Sequence, residues 1–166
     1  MIDMGKRLED NYKMSCQRCE IFNYRLYDTG ANRTGVANVC DFITFRAPNL
    51  LLCECKATKE KSLPWSNISD KQWTMNSYIE DHAYAGFLIH FYSYGKLYFL
   101  PVQIALDLRY NVSDRKSVSI IQLEQLCEEN KAVAVDYLQP RVNLDINVDT
   151  IFDWLEDFKN EYYRGW

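Results

Sequence analysis

The apolar positions follow two rhythms. Over residues 4–20 they recur every three or four, at Leu8, Tyr12, Cys16 and Cys19, which predicts an amphipathic helix. Short apolar runs bounded by turn residues then predict strands at Tyr24–Tyr27, Asp41–Arg46, Leu50–Lys56, Gly86–Ser93 and Lys96–Pro101. Ala47-Pro48-Asn49 and Tyr94-Gly95 are turn signals, so the last four of these runs read as two hairpins. Asp28–Asn38, with Gly30, Asn32, Gly35 and Asn38, reads as a loop, and Ala57–Ser66 as a polar, Lys-bearing one. Asn67–Tyr84 is predicted helical, with Ser69 or Asp70 as N-cap. Helices are also expected at Gln103–Tyr110, Ile120–Asn130 and Asp149–Tyr162, and a strand at Val133–Leu138. A helix, clustered strands with a helix between them, then more helices define an α/β or α+β sheet core with flanking helices.

Composition narrows the class. With 166 residues, 48% of them hydrophobic, the chain can build one core, so a single domain over 1–166 is expected. No uninterrupted apolar stretch is long enough for a membrane span, since Ala85–Val102 is broken by Ser93, Gly95 and Lys96. The first residues carry charge where a signal peptide needs an apolar core. A cytoplasmic protein with no membrane partner is therefore expected. In that setting the six cysteines are not a disulfide framework, and the triplets at Asn32, Asn67 and Asn111 are not glycosylation sites. Cys16-x-x-Cys19 lacks a second ligand pair for zinc, so both cysteines are expected in the core. His82, on the predicted helix, and His90, on a strand, read as hydrogen-bonded structural residues. The net charge of −4 argues against a nonspecific polyanion binder. Residues 1–75 nevertheless hold a small Lys/Arg excess, and residues 76–166 an acidic one, so a polyanion would meet the first half.

The stretch from Asp41 to Lys56 carries candidate chemistry. Glu54 and Lys56, two apart on a strand, share a face, while Cys53 and Cys55 take the other. A two-residue loop at 47–48 sets Asp41 opposite Glu54; a turn shifted by one sets it opposite Lys56. In either register the three share a face. Two carboxylates and an ammonium suit phosphodiester hydrolysis. Carboxylate oxygens hold Mg²⁺, which takes a phosphate oxygen as further ligand and lowers the pKa of a bound water. Lys56 would orient the attacking water and offset charge on the phosphate. The backbone carbonyl of Cys55 is a candidate third metal ligand. Taken alone, this trio is also ordinary decoration of a solvated sheet face.

A wider set of residues carries a resemblance. Gly5-Lys-Arg-Leu8-Glu9, Asp41 followed after twelve residues by Glu54-Cys-Lys56, Lys56-Ala-Thr58-Lys59, Ser62-Leu-Pro64 and Gln72 occur in order. Gly86-Phe-Leu-Ile, Tyr98-Phe-Leu-Pro101, Arg115-Lys-Ser117 and Pro140-Arg141 with Asp145 follow. The series resembles the PD-(D/E)xK nuclease superfamily and, within it, the RecU-type Holliday junction resolvases. The resemblance implies a restriction-endonuclease-like fold, a mixed central β-sheet flanked by helices. It implies a homodimeric, Mg²⁺-dependent endonuclease, with Mn²⁺ able to substitute, that nicks symmetric strands of four-way DNA junctions in recombination, repair or phage DNA processing. Asp41 and Glu54 would ligate metal with Cys55, Lys56 would be catalytic, Glu9 would approach from the first helix, and Gln72 would contact the scissile region. The segment 24–38, where such proteins carry a long basic stalk, is short here and holds only Arg25 and Arg33. The alternatives are a related nuclease cutting duplex or flap DNA, and a catalytically silent DNA-binding module.

Candidate DNA contacts are Lys6, Arg7, Arg33, Lys59, Lys61 and Lys71, with Trp65 placed to stack a base. Arg115-Lys116 is a further basic pair. The C-terminal aromatics Trp154, Phe158, Tyr162, Tyr163 and Trp166 read as a helix-docking or dimer face.

Overall fold

The computed structural model describes residues 2–27, 38–111, 115–139 and 143–162. Helix α1 (Met4–Arg18) starts at Asp3, whose carboxylate accepts the N–H groups of Gly5 and Lys6. Its buried side chains Leu8, Asn11, Tyr12, Ser15 and Cys16 form one stripe. Strands β1 (Phe22–Arg25), β2 (Phe42–Arg46) and β3 (Asn49–Thr58) follow, then β4 (Ser62–Pro64), the single-turn helix α2 (Asp70–Trp73), β5 (Ala83–Phe91) and β6 (Lys96–Pro101). Helix α3 (Val102–Asn111), β7 (Ser117–Ser119), α4 (Ile120–Glu128), β8 (Val133–Ala134), β9 (Tyr137–Leu138), β10 (Asp145–Ile146) and α5 (Val148–Tyr162) complete the order.

Six strands form the central sheet in the order β1-β2-β3-β5-β6-β8. Only β3 and β5 run parallel, so the sheet is mixed, as the resemblance implied. One face packs Leu51, Cys53, Cys55 and Leu88 against Leu8, Tyr12 and Cys16 of α1 and Ile151, Phe152 and Leu155 of α5. Arg46 ties α5 down through Asp149 and Asp153, at 2.8 and 2.6 Å. The other face packs Leu52, Phe87, Ile89 and Leu100 against Trp65, Trp73, Ala105 and Leu123. All six cysteines are free thiols; Cys16 is buried and Cys19 half-buried. Of the C-terminal aromatics, Trp154 stacks on Phe158 at 4.7 Å, so they dock the helix; Tyr163 and Trp166 and the side chain of Tyr162 lie outside the described residues. No helix among the described residues is long and apolar enough to cross a membrane.

Gly86 lies at a close contact between β5 and β6. A Cβ there would lie 2.5 Å from Phe99 Cζ and 2.6 Å from the Leu100 carbonyl oxygen. Because one of these neighbours is backbone, Gly86→Ala is expected to cost about 2–3 kcal/mol of stability. Urea unfolding measures it, and an unshifted midpoint would show that β6 yields.

Several elements differ from the sequence reading. The helix expected over Asn67–Tyr84 is one turn of α-helix followed by a 3₁₀ turn at Thr74–Tyr78. Ser69 and Gln72 do start a helix with a capping box, but Trp65, Ile68, Trp73 and Met75 are all buried, a spacing no single helix stripe satisfies. The chain then turns at His82, with φ of 64°, into β5, so His82 is not on a helix. It receives a side-chain partner in Asn49, 3.3 Å from Nδ1. The expected loop Ala57–Ser66 contains the end of β3 and all of β4, because Leu63 is buried and pairs with Val118. The strand at Tyr24–Tyr27 begins two residues earlier, and Val133–Leu138 divides into β8 and β9 of different sheets.

Candidate active site

Register assembles the site. Ala47 and Pro48 form a two-residue loop, so Arg46 pairs with Asn49 and Phe42 with Cys53. One step further, Asp41 stands opposite Glu54; the shifted register with Asp41 against Lys56 does not occur. Glu54 and Lys56 project on the side of Leu52, away from α1. The start of α2 covers them. Gln72 closes the capping box there, its Oε1 accepting the Ser69 N–H at 2.9 Å. The same Oε1 accepts from Lys56 Nζ at 3.0 Å, and Gln72 Nε2 donates to Glu54 Oε1. Lys56 Nζ also lies 2.9 Å from Glu54 Oε1. Asp41 Oδ2 accepts the backbone N–H of Cys55 at 2.8 Å.

The electrostatics are those of a carboxylate pair short of positive charge. Glu54 is only 3% exposed. Burial, then the charge of Asp41, pushes its carboxyl up to about 7, with Lys56 acting in the opposite direction. Burial also raises Asp41, against the Cys55 N–H and Lys56. The two carboxyl groups therefore titrate as a pair that shares a proton. One ammonium cannot neutralise a buried and a half-buried carboxylate, and a divalent cation in place of the shared proton would relieve both. Among the described residues no group of three His, Cys, Asp or Glu side chains forms a metal cage. Mg²⁺ does not need one, since one or two carboxylates with waters and substrate phosphate suffice. The donor set therefore fits a hard divalent ion. The Cys55 thiol is packed on the α1 face, so only its backbone could contribute.

The structure brings Asp41, Glu54, Lys56 and Gln72 together. Glu9 stands one step away, paired with Arg25, which also reaches Asp10 at 3.2 Å. Arg25 is the site neighbour that sequence reading missed. Its charge acts on Asp41, and it pairs with Phe42, the next residue. The only signal was the position of β1, which the pattern placed two residues late. Lys6, Lys59, Lys61 and Lys71 are exposed, whereas Arg7 is half-buried against a cavity beside α1. Arg33 lies outside the described residues. Trp65 is not a stacking platform: it is 6% exposed and packs edge-on against Trp73 at 5.7 Å.

Gln72→Ala removes a bridge from the site and half of the α2 cap. Cleavage is expected to fall about tenfold and stability by about 1 kcal/mol. An unchanged cleavage rate would remove Gln72 from the site.

Comparison with solved structures defines the class. Hjc from Archaeoglobus fulgidus, described as a Holliday junction resolvase from an archaeal hyperthermophile, superposes with a TM-score of 0.53 at 16% sequence identity. The match covers 73% of this chain and 93% of that one. It defines a restriction-endonuclease-like fold. The family follows from the sequence itself, because the model for Recombination protein U (RecU) matches residues 31–143. The chain belongs to the RecU family, a family of Holliday junction resolvases and hence of endonucleases. No curated protein matches the chain in sequence.

Proposed function

We propose that this protein resolves four-way DNA junctions by divalent-cation-dependent phosphodiester hydrolysis at Asp41, Glu54 and Lys56. The observation that carries the reading is the placement of Asp41 and Glu54 one step beyond the Phe42–Cys53 pair of β2 and β3, with Lys56 and Gln72 bonded to the same Glu54 oxygen. Asp41, Glu54 and the Cys55 carbonyl would hold the ion, Mg²⁺ or Mn²⁺. When bound, it supplies an acidified water and charge neutralisation at the phosphate. Lys56 orients the attacking water and offsets charge growing on the phosphate oxygens. Gln72 positions Lys56 and Glu54. Glu9 acts at one remove, holding Arg25 beside Asp41.

Lys59 and Lys61, in the turn after β3, and Lys71, next to Gln72, are assigned to the DNA backbone with Lys6 and Arg7. Nicking two symmetric strands needs two sites, and a homodimer of the single domain supplies them. Phe22 and Tyr24 on the edge strand β1, and Phe45 beside them on β2, are exposed and support such a contact. The cytoplasm, where chromosomal or phage DNA is handled, is the assigned compartment.

The test is cleavage of a labelled four-way junction beside duplex and flap DNA of the same sequence, with Mg²⁺, Mn²⁺ or EDTA. Paired nicks on the junction alone, dependent on metal, are expected. Duplex or flap cutting would keep the chemistry and refute the junction specificity. No cutting with any metal would leave a silent DNA-binding module.

A further inference from the structure

A second site lies on the opposite face of the sheet. Between α1 and the turn after β5 is a cavity of about 80 Å³, lined by Arg7, Asn11, His90, Tyr92, Tyr137 and Gln139 among others. We propose that this cavity binds a tetrahedral oxyanion of phosphate chemistry, held by Arg7, Asn11 and His90.

The lining carries one cation, Arg7, and no described anion. Asn11 is 2% exposed, and its Nδ2 is buried with no hydrogen-bond partner among the described residues. The Nε of Arg7 is likewise buried and unpartnered there, and its guanidinium reaches the Met4 sulfur, at 4.0 Å. Buried donors are almost always satisfied in folded proteins, so two unpartnered ones on residues that line one cavity mark it as a candidate ligand site. The neighbouring acids of α1 are committed elsewhere: Asp3 caps its own helix, and Glu9 and Asp10 hold Arg25. No carboxylate is among the described residues of the lining. His90, 5% exposed, is pushed down to about 4 by burial and then by Arg7, so its imidazole is neutral and offers one ring N–H. The Tyr137 ring packs edge-on against it at 5.6 Å.

Water would leave the charge of Arg7 unmatched. An oxyanion matches it, with charge-assisted bonds from the guanidinium. The cavity has room for several waters, which suits an inorganic phosphate or a single phosphodiester group. His90 pairs with Ala57, the residue after Lys56, so the cavity lies toward the same end of the sheet as the carboxylates. A DNA backbone phosphate and free phosphate are therefore the two sources. Only the first rests on the nuclease reading; phosphate binding is measurable without cleavage.

The probe is inorganic phosphate, titrated into the full chain in EDTA and followed by NMR of the two histidine rings. His82, eight residues away at the other end of β5, is the internal control. Saturable movement of the His90 resonances is expected, with its titration shifted upward and His82 unmoved. Arg7→Met should weaken the response at least tenfold. Asn11→Asp should abolish it while raising the unfolding temperature, because the new carboxylate is an internal partner for Arg7. A still His90 at millimolar phosphate, or an undiminished response in both variants, overturns the site. Junction DNA added in EDTA then separates the sources. Competition with phosphate at His90 assigns the cavity to the DNA backbone; an unaffected phosphate response assigns it to the free anion.

Discussion

Glu54→Gln is expected to lower junction nicking by at least about 10³-fold while leaving the protein folded and, without metal, more stable than the parent at pH 8. The carboxamide keeps the shape of the side chain and an acceptor for Lys56. It loses the charge that a divalent ion requires. The stability half of the prediction follows from burial. Glu54 holds its proton up to about pH 7 in the folded chain, against 4.5 for an unperturbed glutamic acid. An acid whose folded pKa is raised contributes no stability; it imposes a cost. Below pH 4.5 both states are protonated and the cost is absent. As pH rises from there to 7, the unfolded chain gives up its proton first, and folding loses on the order of 3 kcal/mol. Asp41, shifted in the same direction, adds to the loss. Urea unfolding in EDTA at pH 5 and pH 8 should therefore show the parent weakening with pH and Glu54→Gln weakening less. Mg²⁺ should restore the parent at pH 8 and not the variant. Equal pH slopes would show that Glu54 is not held protonated, and near-parental nicking would remove it from the chemistry.

How far these groups could be seen in the sequence depends on the range over which each is determined. Asp41, Glu54 and Lys56 are joined by one hairpin, and strand alternation with a two-residue turn brings them together whatever the rest of the chain does. Cys53 and Cys55 take the apolar face for the same reason. Lys96–Pro101 and Ile120 as a helix start also read correctly, the latter because Ser119 and Gln122 form a local capping box. Gln72 was legible only through the family pattern, since its place beside Lys56 depends on how α2 folds over β3. Trp65 failed for the converse reason: a Trp among lysines looks exposed in sequence, but β4 pairs with β7, more than fifty residues away, and draws it into the core. Arg25 needed the β1 register, and the unmatched donors of Arg7 and Asn11 needed a cavity formed with β5 and Tyr137. Contacts between distant segments decided each of these, and local pattern carries no record of them.

Lys56→Ala should separate catalysis from metal binding. Lys56 Nζ bonds Glu54 Oε1 and Gln72 Oε1 and is the ammonium beside a carboxylate pair. Truncation leaves Glu54 buried next to Asp41 with only the amide of Gln72, so metal-free stability at pH 8 should fall by about 3 kcal/mol. Nicking should fall about 10²- to 10³-fold, because the water loses its orienting donor and the phosphate a stabilising charge. Affinity for Mn²⁺ should hold or rise, since the variant removes a cation that competes for the same Glu54 oxygen. Mn²⁺ titration followed by single-turnover cleavage at saturating metal measures the two effects apart. A rate loss erased by excess Mn²⁺ would make Lys56 a support for the metal site alone. A parental rate would move the orienting role to another donor, with Gln72 Nε2 next in line. Persistence of the loss at saturation is the outcome that places the ammonium at the reacting phosphate, and it is a result that loss of the fold cannot imitate once bound metal has restored stability.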